Sequence, residues 1–318
     1  MTLDAVSPHT TGMQRATPIN ADSTARLEPL ALLQLLKPVT WFPPMWAFLC
    51  GAVSSTVSLS ENLWLVLAGL ILAGPLVCGA SQIINDWFDR EVDAINEPNR
   101  PIPSGRAPGN SARHFAIIWC LLALVWSGLL GTWVFLATLV GLFMAWAYSA
   151  PPLRFKQNGW LGNAAVGISY EGLAWVTGAA VMLGGTLPAG PILLLAALYS
   201  IGAHGIMTLN DFKALEGDLK LGIQSLPAQL GPERAARLSC VVMTLPQLGA
   251  IALLVYFDRT TYAAIVGALV VGQFIAMARM LKDPRQYAPW YNGTGVTLYV
   301  LGMLVCALAA PFDSGVAI

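Results

Sequence analysis

Long apolar runs repeat along most of this chain, and they limit its possible folds more than any other feature. A helix needs about 20 residues to cross ~30 Å of hydrocarbon. The runs predict nine such helices, at roughly 39–57, 63–85, 113–131, 133–149, 160–183, 190–210, 236–257, 261–281 and 293–311. Only 11% of the 318 residues are charged, whereas soluble proteins carry about 25%. The sequence therefore predicts an all-α polytopic membrane bundle and excludes a soluble domain.

The N-terminal segment differs in composition from the apolar remainder. Residues 1–29 are polar and contain three prolines, so we expect a disordered cytoplasmic tail followed by a transmembrane domain at 30–318. No early apolar run precedes a cleavage site, so no signal peptide is expected. A short amphipathic segment from Leu30 to Leu36 leads into the first predicted span.

The basic residues lie almost entirely on one side of the predicted bundle. With the N-terminus in the cytoplasm, 16 of the 17 Lys and Arg residues fall in inside segments, and only Arg259 falls outside. Cytoplasmic segments of membrane proteins carry an excess of positive charge, so the N-terminus is predicted to be cytoplasmic. The net charge is zero and no basic block occurs, so nucleic acid is not an expected partner.

The first long inside loop opens with a dense acidic motif, Asn85-Asp86-Trp87-Phe88-Asp89-Arg90-Glu91-Val92-Asp93. On a helix, Asp86, Asp89 and Asp93 fall within about 60° of one another. Like charges this close repel, and a divalent cation is the usual relief. Mg²⁺ prefers oxygen ligands and typically takes one or two carboxylates plus substrate phosphates.

A second acidic motif, Asn210-Asp211-Phe212-Lys213-Ala214-Leu215-Glu216-Gly217-Asp218, begins four predicted helices later. If it is helical, Asp211 and Asp218 share one face about 10 Å apart, because they are seven residues apart. Both motifs begin with Asn-Asp at the end of an even-numbered predicted helix, which indicates a weak internal repeat. Two such helix ends on one membrane face are expected to converge on a single site.

Together the motifs predict a site that holds Mg²⁺ and a diphosphate. The proposed metal ligands are Asn85, Asp89, Asp211 and Asp218, and Asp86 and Asp93 complete the acidic set. Nearby cations are expected to hold phosphate oxygens; they are Arg90, Arg100, Arg154, Lys156 and Lys220. The alternative is that both motifs are solvated loops of mixed charge, as charge runs usually are. Two matching Asn-Asp starts argue against that alternative.

At these residues the sequence resembles the UbiA superfamily of intramembrane prenyltransferases. Asn85–Asp93 matches that family's NDxxDxxxD motif in full, and Arg100–Gly105 matches its RPxPSG continuation. The stretch from Tyr148-Ser149 to Gly162-Asn163 is similar to the family's segment after helix 4. The resemblance implies a Mg²⁺-dependent prenyltransferase of nine helices, with Tyr148 among the catalytic residues.

Finer features resemble the chlorophyll and bacteriochlorophyll synthase branch of this superfamily. They are Lys37–Trp46, Asp93–Pro98 and Asn210–Asp218 followed by Leu221–Pro227; Ser169–Ala180 favours the bacteriochlorophyll side. This resemblance implies that a chlorophyllide-type tetrapyrrole is esterified on its propionate with geranylgeranyl or phytyl diphosphate. It also implies a bacterial inner membrane, cytoplasmic or photosynthetic, with membrane lipid around the protein. It names no pigment-assembly partner.

Two positions depart from the family pattern. Many members carry a carboxylate where Ala214 stands, so Asp211 or a water is expected to supply the second ligand beside Asp218. Many also have a lysine where Pro152 stands. Arg154 or Lys156 is therefore expected to take over the role of that lysine.

The acceptor is expected to occupy a separate, more apolar region formed by the first and fifth predicted helices. Glu171 and Trp175 are four residues apart and would share a helical face there. A carboxylate at membrane depth is costly and indicates function, although a protonated packing residue is the alternative. His204 either contacts the tetrapyrrole or its magnesium, or forms a packing hydrogen bond.

Two other functions remain open from sequence. A quinone or aromatic prenyltransferase would use the same donor site, but alkylation of a ring carbon requires a proton to be removed. An ion-coupled transporter would also be polytopic with paired repeats, but carriers place charged residues near the bilayer midplane. Here the acids gather at cytoplasmic helix ends, which favours the enzyme.

Overall fold

The computed structural model describes residues 28–312, and its regular elements in that range are helices. One isolated β-bridge joins Asn158 to Gln224. The predicted disordered tail lies almost wholly outside the described residues. A short helix, α1 (Pro29–Leu36), occupies the predicted amphipathic segment.

Within residues 28–312, nine helices form the membrane bundle. Eight are long and apolar enough to cross a membrane: α3 (Leu63–Asn96), α4 (Ser111–Leu130), α5 (Thr132–Ser149), α6 (Gly159–Met182), α7 (Gly190–Lys213), α10 (Pro232–Tyr256), α11 (Thr260–Met280) and α12 (Pro284–Leu308). The ninth, α2 (Phe42–Ser54), has 13 residues and occupies the place of the first predicted span. The prediction of an all-α, multi-pass membrane bundle is confirmed.

The two acidic motifs have different backbones. The first lies within α3, which continues to Asn96 rather than ending near residue 85. The second spans a 3₁₀ turn at Asp211–Lys213, a break at Ala214 and the first residues of a short helix, α8 (Leu215–Leu221). Another short helix, α9 (Leu226–Leu230), follows the motif. The prediction of one continuous helical face carrying Asp211 and Asp218 is therefore wrong, because the tightened turn ends the long helix between them.

Close contact between α2 and α6 depends on two glycines. A Cβ atom at Gly51 would collide with the backbone carbonyl of Trp175, and one at Gly178 would collide with the carbonyl of Phe48. Small residues let membrane helices approach in this way. The contact holds α2 against the C-terminal half of α6.

Two long helices contain π-helical segments. In α3 the segment is Leu72–Cys78, which includes Pro75, and in α6 it is Ile168–Leu173. The carbonyl of Pro75 accepts a hydrogen bond of 2.8 Å from the Trp119 indole. A π-helical turn changes the direction of the side chains that follow it, and such turns are frequent at functional sites.

Candidate active site

The first motif presents its carboxylates to cations from other parts of the chain. Asp86 is buried, and its Oδ1 lies 2.6 Å from the Lys37 ammonium and 3.5 Å from the Arg100 guanidinium. Arg100 also reaches Asp93 at 2.9 Å and Glu97 at 2.7 Å. The Oδ2 atom of Asp86 is buried without a hydrogen-bond partner. One carboxylate oxygen is therefore paired and the other is free to bind a ligand.

Asp89 faces a different pair of cations on the loop after α5. Its Oδ1 lies 2.5 Å from the Lys156 ammonium and 3.6 Å from the Arg154 guanidinium. Burial lowers the pKa of Lys156, and the ion pair with Asp89 acts in the opposite direction. Both residues named as substitutes for the missing lysine at Pro152 therefore reach the first acidic motif.

The second motif is held by neutral amides. Asp211 Oδ2 accepts a hydrogen bond of 3.1 Å from the Asn163 amide on α6. Asn210 Oδ1 accepts one of 2.8 Å from the Asn292 amide on α12. Asp218 is buried, and that burial raises the pKa of its carboxyl group. Within the described residues, neither Asp211 nor Asp218 forms an ion pair.

Tyr148 links the two motifs. It lines a cavity together with Asn85 and Asn210, the first residues of the two motifs. Asn85, at the start of the first motif, donates a hydrogen bond of 3.5 Å to Ser149 Oγ. The motifs thus converge on the end of α5, as their spacing in the sequence predicts.

A large cavity opens beside this convergence and runs into the bundle. Its volume is about 620 Å³, and α2, α3, α5, α6, α7 and α12 form its walls. Its polar end carries Asn85, Tyr148, Asn210 and Asn292. The remaining walls are mainly apolar, with Trp46, Leu72, Val77, Ala137, Leu173 and Val300 among them. The cavity therefore joins a polar end, which carries the first residue of each acidic motif, to an apolar interior. Asp86, Lys37 and Arg100 line a neighbouring pocket of about 520 Å³.

The donor atoms at the polar end fit a hard divalent cation. The candidate ligands are carboxylate and amide oxygens, and one of them, Asp86 Oδ2, lacks any partner. In residues 28–312, no group of three or more His, Cys, Asp or Glu side chains is arranged to hold an ion. Mg²⁺ usually takes only one or two carboxylates and completes its shell with water and phosphate oxygens.

Two predicted phosphate-binding cations do not reach this site. The Arg90 guanidinium lies 4.4 Å from the centre of the Trp87 ring and donates a hydrogen bond to the Trp87 carbonyl. It points away because it follows Asp89 by one residue, a turn of about 100° on a helix. Lys220 is exposed on α8 and forms no ion pair within the described range.

Two predicted acceptor residues also lie outside the cavity. Trp175 is fully buried, donates to Ser54 Oγ at 3.2 Å and stacks on Tyr199. The π-helical segment rotates it off the face of Glu171, which does line the cavity. His204 Nε2 lies 3.2 Å from the Trp160 carbonyl oxygen. This contact corresponds to the packing hydrogen bond that the sequence analysis gave as the alternative role of His204.

Sequence reasoning missed two residues that contact the motifs, Lys37 and Asn292. Lys37 is 49 positions from its partner Asp86, so spacing gave no indication of the pair. Its only signal was its place at the start of the Lys37–Trp46 segment. Asn292 had a clearer one, because a polar amide beside a predicted span indicates a functional or packing contact.

The family model for the UbiA prenyltransferase family matches residues 40–300. This chain belongs to that family. It is 58% identical over 284 residues to the bacteriochlorophyll synthase 33 kDa chain of Rhodobacter capsulatus, which covers 89% of this chain and 93% of that one. It is 42% identical to the chloroplastic chlorophyll synthase of Avena sativa, over 87% of this chain and 75% of that one. The resemblance drawn from the motifs is confirmed.

The fold is also similar to that of a solved UbiA homologue from Archaeoglobus fulgidus bound to GPP and Mg²⁺. The TM-score is 0.65 at 20% identity, with 88% of this chain and 100% of that chain covered. At this identity the likeness establishes the fold alone. The chain is therefore an integral, multi-pass membrane protein with the architecture of the family.

Proposed function

We propose that this protein is a bacteriochlorophyll synthase. It joins the propionate of a (bacterio)chlorophyllide to a geranylgeranyl or phytyl group taken from the corresponding diphosphate. The observation that carries the proposal is the cavity of about 620 Å³ that connects a polar end, at the first residues of the two acidic motifs, to an apolar interior. A prenyl diphosphate needs both environments. The 58% identity to the Rhodobacter capsulatus chain supports the tetrapyrrole acceptor.

The diphosphate is held at the polar end. One carboxylate from each motif, drawn from Asp86 or Asp89 and from Asp211 or Asp218, would supply oxygen ligands for Mg²⁺ together with the Asn85 amide. When bound, the metal supplies positive charge that neutralises the diphosphate and favours its departure. Cations that now pair with the carboxylates then share their hydrogen bonds with phosphate oxygens; they are Lys37, Arg100, Arg154 and Lys156.

The reaction exchanges one C–O bond for another. The bond between the allylic carbon and the diphosphate oxygen breaks, and its electron pair leaves with the diphosphate. A propionate oxygen then forms a new bond to the allylic carbon, which gives the ester and free diphosphate. The propionate is already anionic near neutral pH, so the protein needs no general base. Tyr148, between the two acidic motifs, faces the leaving group.

The apolar walls have two roles in this scheme. They accommodate the prenyl chain, and they exclude water, which would otherwise capture the allylic cation. Both substrates are amphipathic and enter from the surrounding lipid. We place the protein in a bacterial inner membrane, either cytoplasmic or photosynthetic intracytoplasmic, with its acidic motifs on the cytoplasmic face.

The test is an esterification assay. Membranes that contain the protein are incubated with bacteriochlorophyllide or chlorophyllide, geranylgeranyl diphosphate and Mg²⁺, and the pigment ester is measured by chromatography. Asp89→Asn should abolish ester formation, whereas Arg90→Gln, a cation that faces Trp87, should retain it. A wild-type protein that prenylates an aromatic ring acid but no tetrapyrrole would contradict the proposal and favour the aromatic prenyltransferase.

A further inference from the structure

Glu171 is an isolated carboxyl group in the wall of the cavity. It lies in the π-helical segment Ile168–Leu173 of α6 and lines the apolar interior. Its Oε2 atom is buried and has no hydrogen-bond partner in the described part of the chain. None of the ion pairs among residues 28–312 includes it. Buried polar groups normally have partners, so this one requires an explanation.

The neighbouring polar groups make the contrast clear. The Tyr170 hydroxyl accepts hydrogen bonds from Gln82 Nε2 at 3.0 Å and from Cys78 Sγ at 3.3 Å, and it lies 3.4 Å from Ser81 Oγ. This cluster connects the wall formed by α6 to the wall formed by α3. Tyr170 therefore has its partners within the protein, whereas the adjacent Glu171 has none among residues 28–312.

Glu171 and the second acidic motif can be placed relative to each other along α6. It is eight residues beyond Asn163, which binds Asp211. That separation is about 12 Å along a helix. A charged carboxylate at this depth, without a cation beside it, would be strongly unfavourable, so the neutral acid is the stable form. A neutral carboxylic acid has an O–H group and acts as a hydrogen-bond donor.

We propose that Glu171 donates a hydrogen bond to a carbonyl oxygen on the rim of the acceptor macrocycle and so determines which tetrapyrroles the enzyme prefers. The inference rests on the proposed function. A flat acceptor whose carboxylate lies at the polar end of the cavity extends its far rim along the cavity toward Glu171. A buried polar group built to bind a substrate group rejects analogues that lack it, because its hydrogen bond is then unmade.

The test combines changes in the acceptor with changes at Glu171. The acceptors are chlorophyllides that differ at one rim substituent, acetyl against vinyl, or ring ketone against a methylene group, which lacks the acceptor oxygen. The variants are Glu171→Leu, which removes the donor, and Glu171→Gln, which keeps an N–H donor of similar shape. Wild type should prefer one carbonyl-bearing acceptor by about 3- to 10-fold in kcat/KM, as expected for one hydrogen bond. Glu171→Gln should keep most of this preference and Glu171→Leu should lose it, with the KM for the diphosphate unchanged.

Three other results would contradict the inference, and each has a different meaning. A wild-type enzyme that esterifies all these acceptors equally would overturn it and leave the proposed function intact. Equal losses for every acceptor in Glu171→Leu would mean that Glu171 contacts a feature they share. If Glu171→Leu does not accumulate in the membrane, Glu171→Met and the wild-type acceptor series give the same comparison. A wild type that esterifies no tetrapyrrole would overturn the proposed function as well.

Discussion

The two acidic motifs begin with the same Asn-Asp pair but neutralise their charge in opposite ways. On the continuous helix α3, Asp86 and Asp89 pair with four cations from three separate segments of the chain. On the broken segment after α7, Asp211 has only an amide partner and Asp218 has no ion pair in the described range. A bound cation therefore relieves more repulsion at the second motif than at the first. The first motif is already balanced and brings the positive charges that a diphosphate needs.

Removal of the metal should have the largest effect on activity. Exhaustive chelation with EDTA should stop ester formation, and Mg²⁺ should restore it, because all candidate ligands are oxygen donors. The melting temperature of the purified protein should change little, since the first motif keeps its ion pairs. Full activity after chelation would contradict a metal site. A large fall in melting temperature would instead show that the second motif needs the ion for folding.

Substitution of single carboxylates tests the two motifs separately. Asp89→Ala and Asp218→Ala should each lower kcat at least about 100-fold, the usual cost of one strong electrostatic contact in a transition state. Asp89→Ala should also reduce thermal stability, because it leaves Lys156 without its partner. Asp218→Ala breaks no ion pair and should not. The matched control is Glu216→Gln, an exposed acid of the second motif, and a wild-type rate in either alanine variant would refute the two-motif site.

Local signals predicted the fold well. Apolar runs predicted the helices, because they depend on composition within one segment. The predictions that failed assumed a regular α-helix, which fixes the direction of each side chain relative to the next. A π-helical segment separates Glu171 from Trp175, and a 3₁₀ turn with a break at Ala214 separates Asp211 from Asp218. Neither irregularity follows from hydrophobic spacing.

Contacts between distant segments were also beyond the reach of the sequence. Nothing in the spacing indicates that Lys37, in the turn after α1, meets Asp86, because only the fold brings these segments together. The position of Asn292 against Asn210 depends in the same way on how α12 packs. Motif residues could be named from sequence, but the partners that balance them could not.

The effect of removing a cation should depend on whether that cation contacts a motif carboxylate. Lys37→Met leaves buried Asp86 with Arg100 alone, at 3.5 Å. We expect the KM for the prenyl diphosphate to rise about 10-fold, equivalent to ~1.4 kcal/mol. The control is Lys220→Met, which removes an exposed cation near the second motif and should leave KM unchanged. An equal rise in both variants would mean that the cations act only through the overall charge of the cytoplasmic face.

The smallest effect on catalysis is expected from Trp175 and His204, which the structure places outside the cavity. Trp175→Phe removes the hydrogen bond to Ser54 and part of the stack on Tyr199. It should lower the stability of the purified protein by about 1 kcal/mol while the acceptor KM stays within about twofold. His204→Gln should behave similarly, because an amide can keep a bond to the Trp160 carbonyl. The acceptor KM and the melting temperature, measured on the same preparations, separate the two roles. If the acceptor KM rises severalfold at unchanged stability, these residues contact the acceptor. The acceptor would then extend past the wall formed by α6.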